Sequence, residues 1–138
     1  MSRFLNISVA LMTLTGVVFA AMKYWMTSDD PFAVVNHPWQ PHVLAAHVLL
    51  GPLAVFAFGW IFAGHVLPAL ANKAPNRSTG IAAIVLIVLM VASGYLMQVS
   101  TGDTTRHAFA VAHWISSGLF VVVYVAHLSR SAAAKPPL

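Results

Sequence analysis

Four apolar stretches, at residues 4–26, 41–70, 80–99 and 105–129, leave this chain little choice of fold. Each reaches the roughly 20 helical residues needed to cross a hydrocarbon core. Lipid offers no partner to a backbone N–H or C=O, so runs of this length are read as helices, which bond their own backbone. Polar connections separate them. Asp29, Asp30, Pro31, His37, Pro38 and Pro41 fall in or beside the first, Lys73, Pro75 and Arg77 in the second, and Gly102 and Asp103 in the third. The expectation is an all-α integral membrane protein, an up-down-up-down four-helix bundle forming one transmembrane domain over residues 1–138.

Composition agrees. The chain is 59% apolar, with seven basic and three acidic side chains. The basic residues are scattered over the ends of the apolar runs and form no patch that would track phosphates, so no nucleic-acid partner is expected. Arg3 and the following apolar run also fit the start of a signal peptide, with Val18-Phe19-Ala20 as a weak cleavage site. The run is long for that role and is taken as a retained helix. Pro41 suits the first turn of the second helix, whereas Pro52 removes a backbone bond to Val48 and predicts a bend.

Basic residues orient the bundle. Arg3, Lys73, Arg77, Arg130 and Lys135 fall on the side of the termini, and Lys23 and Arg106 share the other side with all three aspartates. By the positive-inside rule both termini are cytoplasmic, in a multi-pass protein of the bacterial inner membrane.

Four histidines inside the apolar runs require a reason, because a polar ring is costly in hydrocarbon. His47 and His65 lie on the second helix, and His113 and His127 on the fourth. The step from His47 to His65 is five whole turns at about 100° per residue, and that from His113 to His127 falls about 40° short of four. Each pair therefore shares a face. The two helices cross in the same direction, so His47 is level with His113 near the outer face and His65 with His127 near the inner face. Their separations along the helices, about 27 Å and 21 Å at the α-helical rise, differ by an amount that tilt and the Pro52 bend can absorb.

Two level pairs of imidazoles are the donor set of two bis-histidine haems b, with iron bound by His47 and His113 in one and by His65 and His127 in the other. The chain has no cysteine, so thioether attachment, iron–sulfur clusters and thiolate sites are excluded and the haems are non-covalent. Gly51 and Ser117, one turn after the outer ligands, leave room for a porphyrin plane. Ala54, Phe58, Phe120 and Tyr124 project between the pairs as packing for the gap. Thr15-Gly16-Val17-Val18 of the first helix parallels Ser93-Gly94-Tyr95-Leu96 of the third, a weak internal repeat in which each copy precedes a helix with two histidines. Its glycines either admit the haem edges or serve helix packing alone.

These spaced histidines and small residues resemble the bacterial four-helix di-haem cytochromes b, the group that includes cytochrome b561-like proteins and the b-type subunits of hydrogenases and formate dehydrogenases. Placement of the ligands on helices two and four is also similar to the cytochrome b of quinol–cytochrome c oxidoreductases. The chain departs from the b561 pattern in having no histidine on its first helix. The resemblance implies electron transfer across the membrane between a quinone pool and a partner redox protein or subunit, whether as a carrier or as part of a quinone-linked oxidoreductase.

Other readings stay open. The four histidines also suit a divalent-metal transporter, although no acidic residue lies within any of the four runs. An accessory subunit that packs against a larger redox complex is the third. His37, His42 and His107 lie near water and away from the ligand faces, so they are expected at loops and helix starts. With Trp39 and Arg106, His42 and His107 form a possible rim for a quinol or partner on the outer side, where histidine relays protons near neutrality. Trp25, Trp39 and Trp114 are expected as interfacial anchors, and Met12, Met22, Met26, Met90 and Met97 as packing.

Overall fold

A computed structural model describes residues 3–74 and 76–133; Pro75 and Lys135, used above for the second turn and the orientation, lie outside them. The fold is all-α. Among the described residues four helices are long and apolar enough to span a membrane: α1 (Arg3–Tyr24), α2 (Gln40–Ala71), α3 (Arg77–Val99) and α4, whose helical residues run Asp103–Ala133. They divide into two compact units, 1–67 and 68–138, each built on one helical hairpin.

In the first unit α1 packs on α2. Thr15 meets His47 and Phe4 meets Phe56, with ring centroids 6.3 Å apart, so the partner number rises along α2 as it falls along α1. The pair is antiparallel. Its connection is tied to both helix ends: Asn36 Nδ2 donates to the Lys23 carbonyl at 2.8 Å, and Gln40 Oε1 accepts from the Asn36 N–H. The first bond satisfies a carbonyl that the end of α1 otherwise leaves unpaired. Lys23 also places its charge in the last turn of α1, where the helix dipole favours a cation.

The second unit repeats the plan with a tighter turn at residues 100–102. Ser93 meets His113, Thr79 meets His127 and Asn76 meets Ser131, an antiparallel register that holds along α3 and α4. Helix α3 starts three residues before the expected Gly80, because the Thr79 hydroxyl donates to the Asn76 carbonyl at 2.9 Å and draws the polar stretch into the first turn. Asp103 opens α4, and Arg130 lies in its last turn, each placed to suit the dipole.

Helix α2 differs most from expectation. It remains α-helical through Pro52 but opens into a π-helical turn at Phe62–Val66, where the Leu67 N–H reaches back five residues to the Phe62 carbonyl. Pro68 explains the change, since it has no N–H to give the Gly64 carbonyl and its ring crowds that oxygen. The backbone widens rather than clashing. Beyond Ala71, Lys73 takes a left-handed conformation with φ 49°, and the Ala74 N–H returns to the Ala69 carbonyl at 3.1 Å. This is a helix stop of the kind usually given to glycine.

Large apolar side chains are widely exposed along all four helices, Leu49, Trp60, Val99 and Val122 among them. In water such a surface would be unstable, whereas lipid solvates it. The protein therefore belongs in a bilayer.

Candidate functional site

The four intramembrane histidines lie in two settings. His47, His113 and His127 are partly buried against a neighbouring helix, and His65 is exposed. Three of them are held at Nδ1 by the helix that precedes their own.

His47 is held by Thr15. The Thr15 hydroxyl donates to the Leu11 carbonyl at 2.9 Å and the Met12 carbonyl at 3.2 Å, so its single proton is engaged in its own helix. Its oxygen lies 3.0 Å from His47 Nδ1 and, with the hydroxyl proton directed to those carbonyls, is left as the acceptor for a ring N–H there. The tautomer this selects carries hydrogen on Nδ1 and a lone pair on Nε2. His127 is held in the same way: Thr79 donates to Asn76 and accepts from His127 Nδ1 at 2.9 Å. At His113 the assignment is firmer still, because the Met90 carbonyl, which can only accept, lies 2.9 Å from Nδ1. Ser93 stands farther off at 3.4 Å, its proton committed to the Leu89 and Met90 carbonyls.

A glycine follows each of the three hydroxyl residues, and the ring lies over it. A Cβ on Gly16 would stand 3.1 Å from His47 Cε1, and one on Gly94 would stand 3.2 Å from Cε1 and 3.3 Å from Nδ1 of His113. At Gly80 the distance to His127 Cε1 is 3.7 Å, an ordinary contact. Gly16 and Gly94 are where the imidazoles approach the neighbouring backbone. A threonine hydroxyl faces the ring nitrogen at His47 and His127 and a backbone carbonyl does so at His113, while Gly16 and Gly94 admit the ring edge.

Sequence reasoning paired Thr15-Gly16 with Ser93-Gly94 but left Thr79-Gly80 as the end of a turn, and it missed the Met90 carbonyl. A signal was present. Thr79 and Ser93 are fourteen residues apart, as are His113 and His127, which is the match two antiparallel helices need to meet twice. The dipeptide alone is not diagnostic, since Thr101-Gly102 lies in the α3–α4 turn.

His65 occupies the π turn, so the expected five whole α-helical turns from His47 do not hold. An i→i+5 turn takes up an additional residue, and His65 lags the α-helical phase by up to about 100°, the rotation of one residue. The lag has the same sense as the shortfall between His113 and His127. Pro68 and Gly64 were the sequence signals for it.

Gly51 faces open space, with nothing within 4 Å of an added Cβ, so α2 has clearance one turn after His47. Ser117 is partly buried one turn after His113, and its neighbour Ser116 is buried and bonded to the Ala112 carbonyl at 2.7 Å. Phe120 and Tyr124, between the two histidines of α4, are buried and stack at 5.4 Å. On α2, Phe58 instead meets Phe62 edge-on at 5.8 Å.

The residues of the expected rim lie at helix starts. His42 is exposed in the first turn of α2 and meets Trp39 edge-on at 6.2 Å, and with Pro38 they line an open groove of about 470 Å3. His37 Nδ1 accepts from the Trp39 N–H at 3.1 Å. Arg106 and His107 are exposed in the opening turns of α4.

Among the described residues no three histidine, aspartate or glutamate side chains converge as a metal-binding group. Axial ligation of a haem needs only two imidazoles and is not represented by such a cluster. The Nδ1–H tautomer suits that role, because metal-bound histidines generally donate their other ring N–H to an oxygen that fixes the ring and raises its basicity. Comparison of the chain with protein-family models, curated proteins and solved structures finds no match.

Proposed function

We propose that this protein is a membrane cytochrome that holds two haems b without covalent attachment and carries electrons across the bacterial inner membrane, with both termini cytoplasmic. Imidazole Nε2 atoms of His47, His65, His113 and His127 are the iron ligands, paired as the order of the histidines along their helices implies. Donor and acceptor are a quinone pool and a partner redox protein or subunit.

The observation that carries this reading is the recurrent hold on Nδ1. Thr15, Thr79 and the Met90 carbonyl each place an oxygen at Nδ1 of an intramembrane histidine, the nitrogen that is left over when Nε2 binds a metal. A metal-ligating histidine needs its second nitrogen oriented by such an oxygen, and the hold recurs at three of the four intramembrane histidines. Haem, when bound, supplies the one-electron chemistry, and the chain supplies ligand geometry and an apolar surround. Gly16 and Gly94 bring each ring against a rigid backbone, which limits its rotation during a change of iron charge.

The test is an oxidised and a dithionite-reduced absorption spectrum of the purified protein, with haem counted by pyridine haemochrome. Two haems b per chain, extractable with acid–acetone, are expected. A count near zero in membranes supplied with haem rejects the reading.

A further inference from the structure

The three histidine seats look alike in sequence, a serine or threonine followed by glycine, yet they differ in the atom that receives the ring proton. At His47 and His127 the acceptor is a threonine hydroxyl, at 3.0 Å and 2.9 Å. At His113 it is the backbone carbonyl of Met90 at 2.9 Å, with the serine hydroxyl at 3.4 Å. A side chain can be removed by substitution and a carbonyl cannot.

Each threonine also passes the bond onward. Thr15 accepts from His47 while donating to Leu11 and Met12, and Thr79 accepts from His127 while donating to Asn76. Donation polarises the hydroxyl oxygen and strengthens it as an acceptor. The chain from Nδ1–H through O–H to C=O therefore draws proton density from the imidazole and leaves Nε2 more electron-rich. Ser93 makes the same back-bonds but competes with His113 for the Met90 carbonyl, at 3.1 Å and 2.9 Å. Removing its hydroxyl leaves that carbonyl to the ring alone.

We propose that Thr15 and Thr79 are positioning residues that hold His47 and His127 in the Nδ1–H tautomer and set the electron-donating strength of their Nε2 atoms, whereas at His113 the Met90 carbonyl does this and Ser93 is dispensable. In its consequence for haem the inference rests on the function proposed above; the tautomer itself does not. A stronger imidazole donor favours the more highly charged ferric iron, so loss of either threonine acceptor raises a midpoint potential.

The experiment compares full-length wild type with Thr15→Val, Thr79→Val, Thr15→Ser, Thr79→Ser and Ser93→Ala. Valine keeps the shape of threonine and suits an apolar helix, and serine restores the hydroxyl. Imidazole ¹⁵N shifts are read on reduced protein as isolated, assigned with His47→Gln and His127→Gln, and potentials are measured by redox titration. In Thr15→Val and Thr79→Val the Nδ1–H signal of the facing histidine should shift or be lost, the potential of one haem should rise, and haem retention should fall by roughly tenfold or more. The serine variants should return all three readings toward wild type. Ser93→Ala should keep His113 in the Nδ1–H form, with no rise in potential and no loss of haem. Unaltered tautomers and potentials in both valine variants, or a Ser93→Ala effect as large as theirs, overturn the proposal. If no form of the protein holds haem, the proposed function fails, and the ¹⁵N shifts of the same samples still decide the roles of Thr15 and Thr79.

Discussion

The imidazole of His47 lies so close to the backbone of Gly16 that a Cβ at that position would stand 3.1 Å from Cε1. Gly94 and His113 repeat the relationship at 3.2 Å, while Gly80 leaves His127 a more ordinary 3.7 Å. The three glycines therefore separate in what a methyl group should do. Gly16→Ala and Gly94→Ala push a ring off its seat, at an overpacking cost of about 1–3 kcal/mol. Up to about 1 kcal/mol returns through the better helix propensity of alanine. Gly80→Ala should recover that gain with little clash. Thermal unfolding followed by circular dichroism in one detergent should rank Gly80→Ala at or above wild type and the other two below it. Equal melting temperatures for all three would remove the close-approach argument.

Ligand pairing can be tested by deletion. The proposed function pairs His47 with His113 and His65 with His127. Replacing either member of a pair by alanine should abolish the same haem spectrum and leave the other centre in place. The four single variants should thus fall into two spectral classes. Loss of one centre by both His65→Ala and His113→Ala would show the topology to be wrong.

Pro68 sets the phase of one histidine alone. With Pro68→Ala the residue at 68 regains an N–H for the Gly64 carbonyl, and Phe62–Val66 can return to regular α-helix. His65 then rotates by up to about 100° relative to His47. The expected result is an altered electron paramagnetic resonance signal from the His65 centre with the His47 centre unchanged. Identical spectra would mean that the π turn does not depend on the proline.

The groove of Pro38, Trp39 and His42 and the exposed His107 lie on helix starts, where an amphipathic molecule leaving the bilayer meets polar side chains. Under the proposed function, quinol delivering electrons at either helix start needs acceptors for its protons. His42→Ala and His107→Ala, both retaining their haems, should slow reduction of the outer haem by a soluble quinol analogue by about tenfold or more. Rapid mixing gives the rate. Wild-type rates in both variants would move the entry point to the cytoplasmic face or to a partner subunit.

Much of the fold was legible because lipid imposes a simple rule. Residues 4–26, 41–70, 80–99 and 105–129 had to be helical to satisfy their own backbone, and the structure places helices there with ends shifted by a few residues. The shifts arise where side chains bond to helix ends, as Thr79 does to Asn76, and no hydropathy pattern records such bonds. The histidines stood out for the same reason, as costly groups in an apolar run.

Apolar length and intramembrane histidine were thus determined by the sequence alone, since each follows from the transfer energy of single side chains. Tertiary structure decided what surrounds those histidines. Which hydroxyl takes the proton of His47, that a backbone carbonyl does so for His113, and that Gly80 seats a ring at all depend on the register between two antiparallel helices. That register is set by packing over the whole hairpin. The π turn before Pro68 has the same character: the proline is visible in the chain, but the backbone could have kinked or broken there, and it widens instead, beside a Gly64 with open space around it.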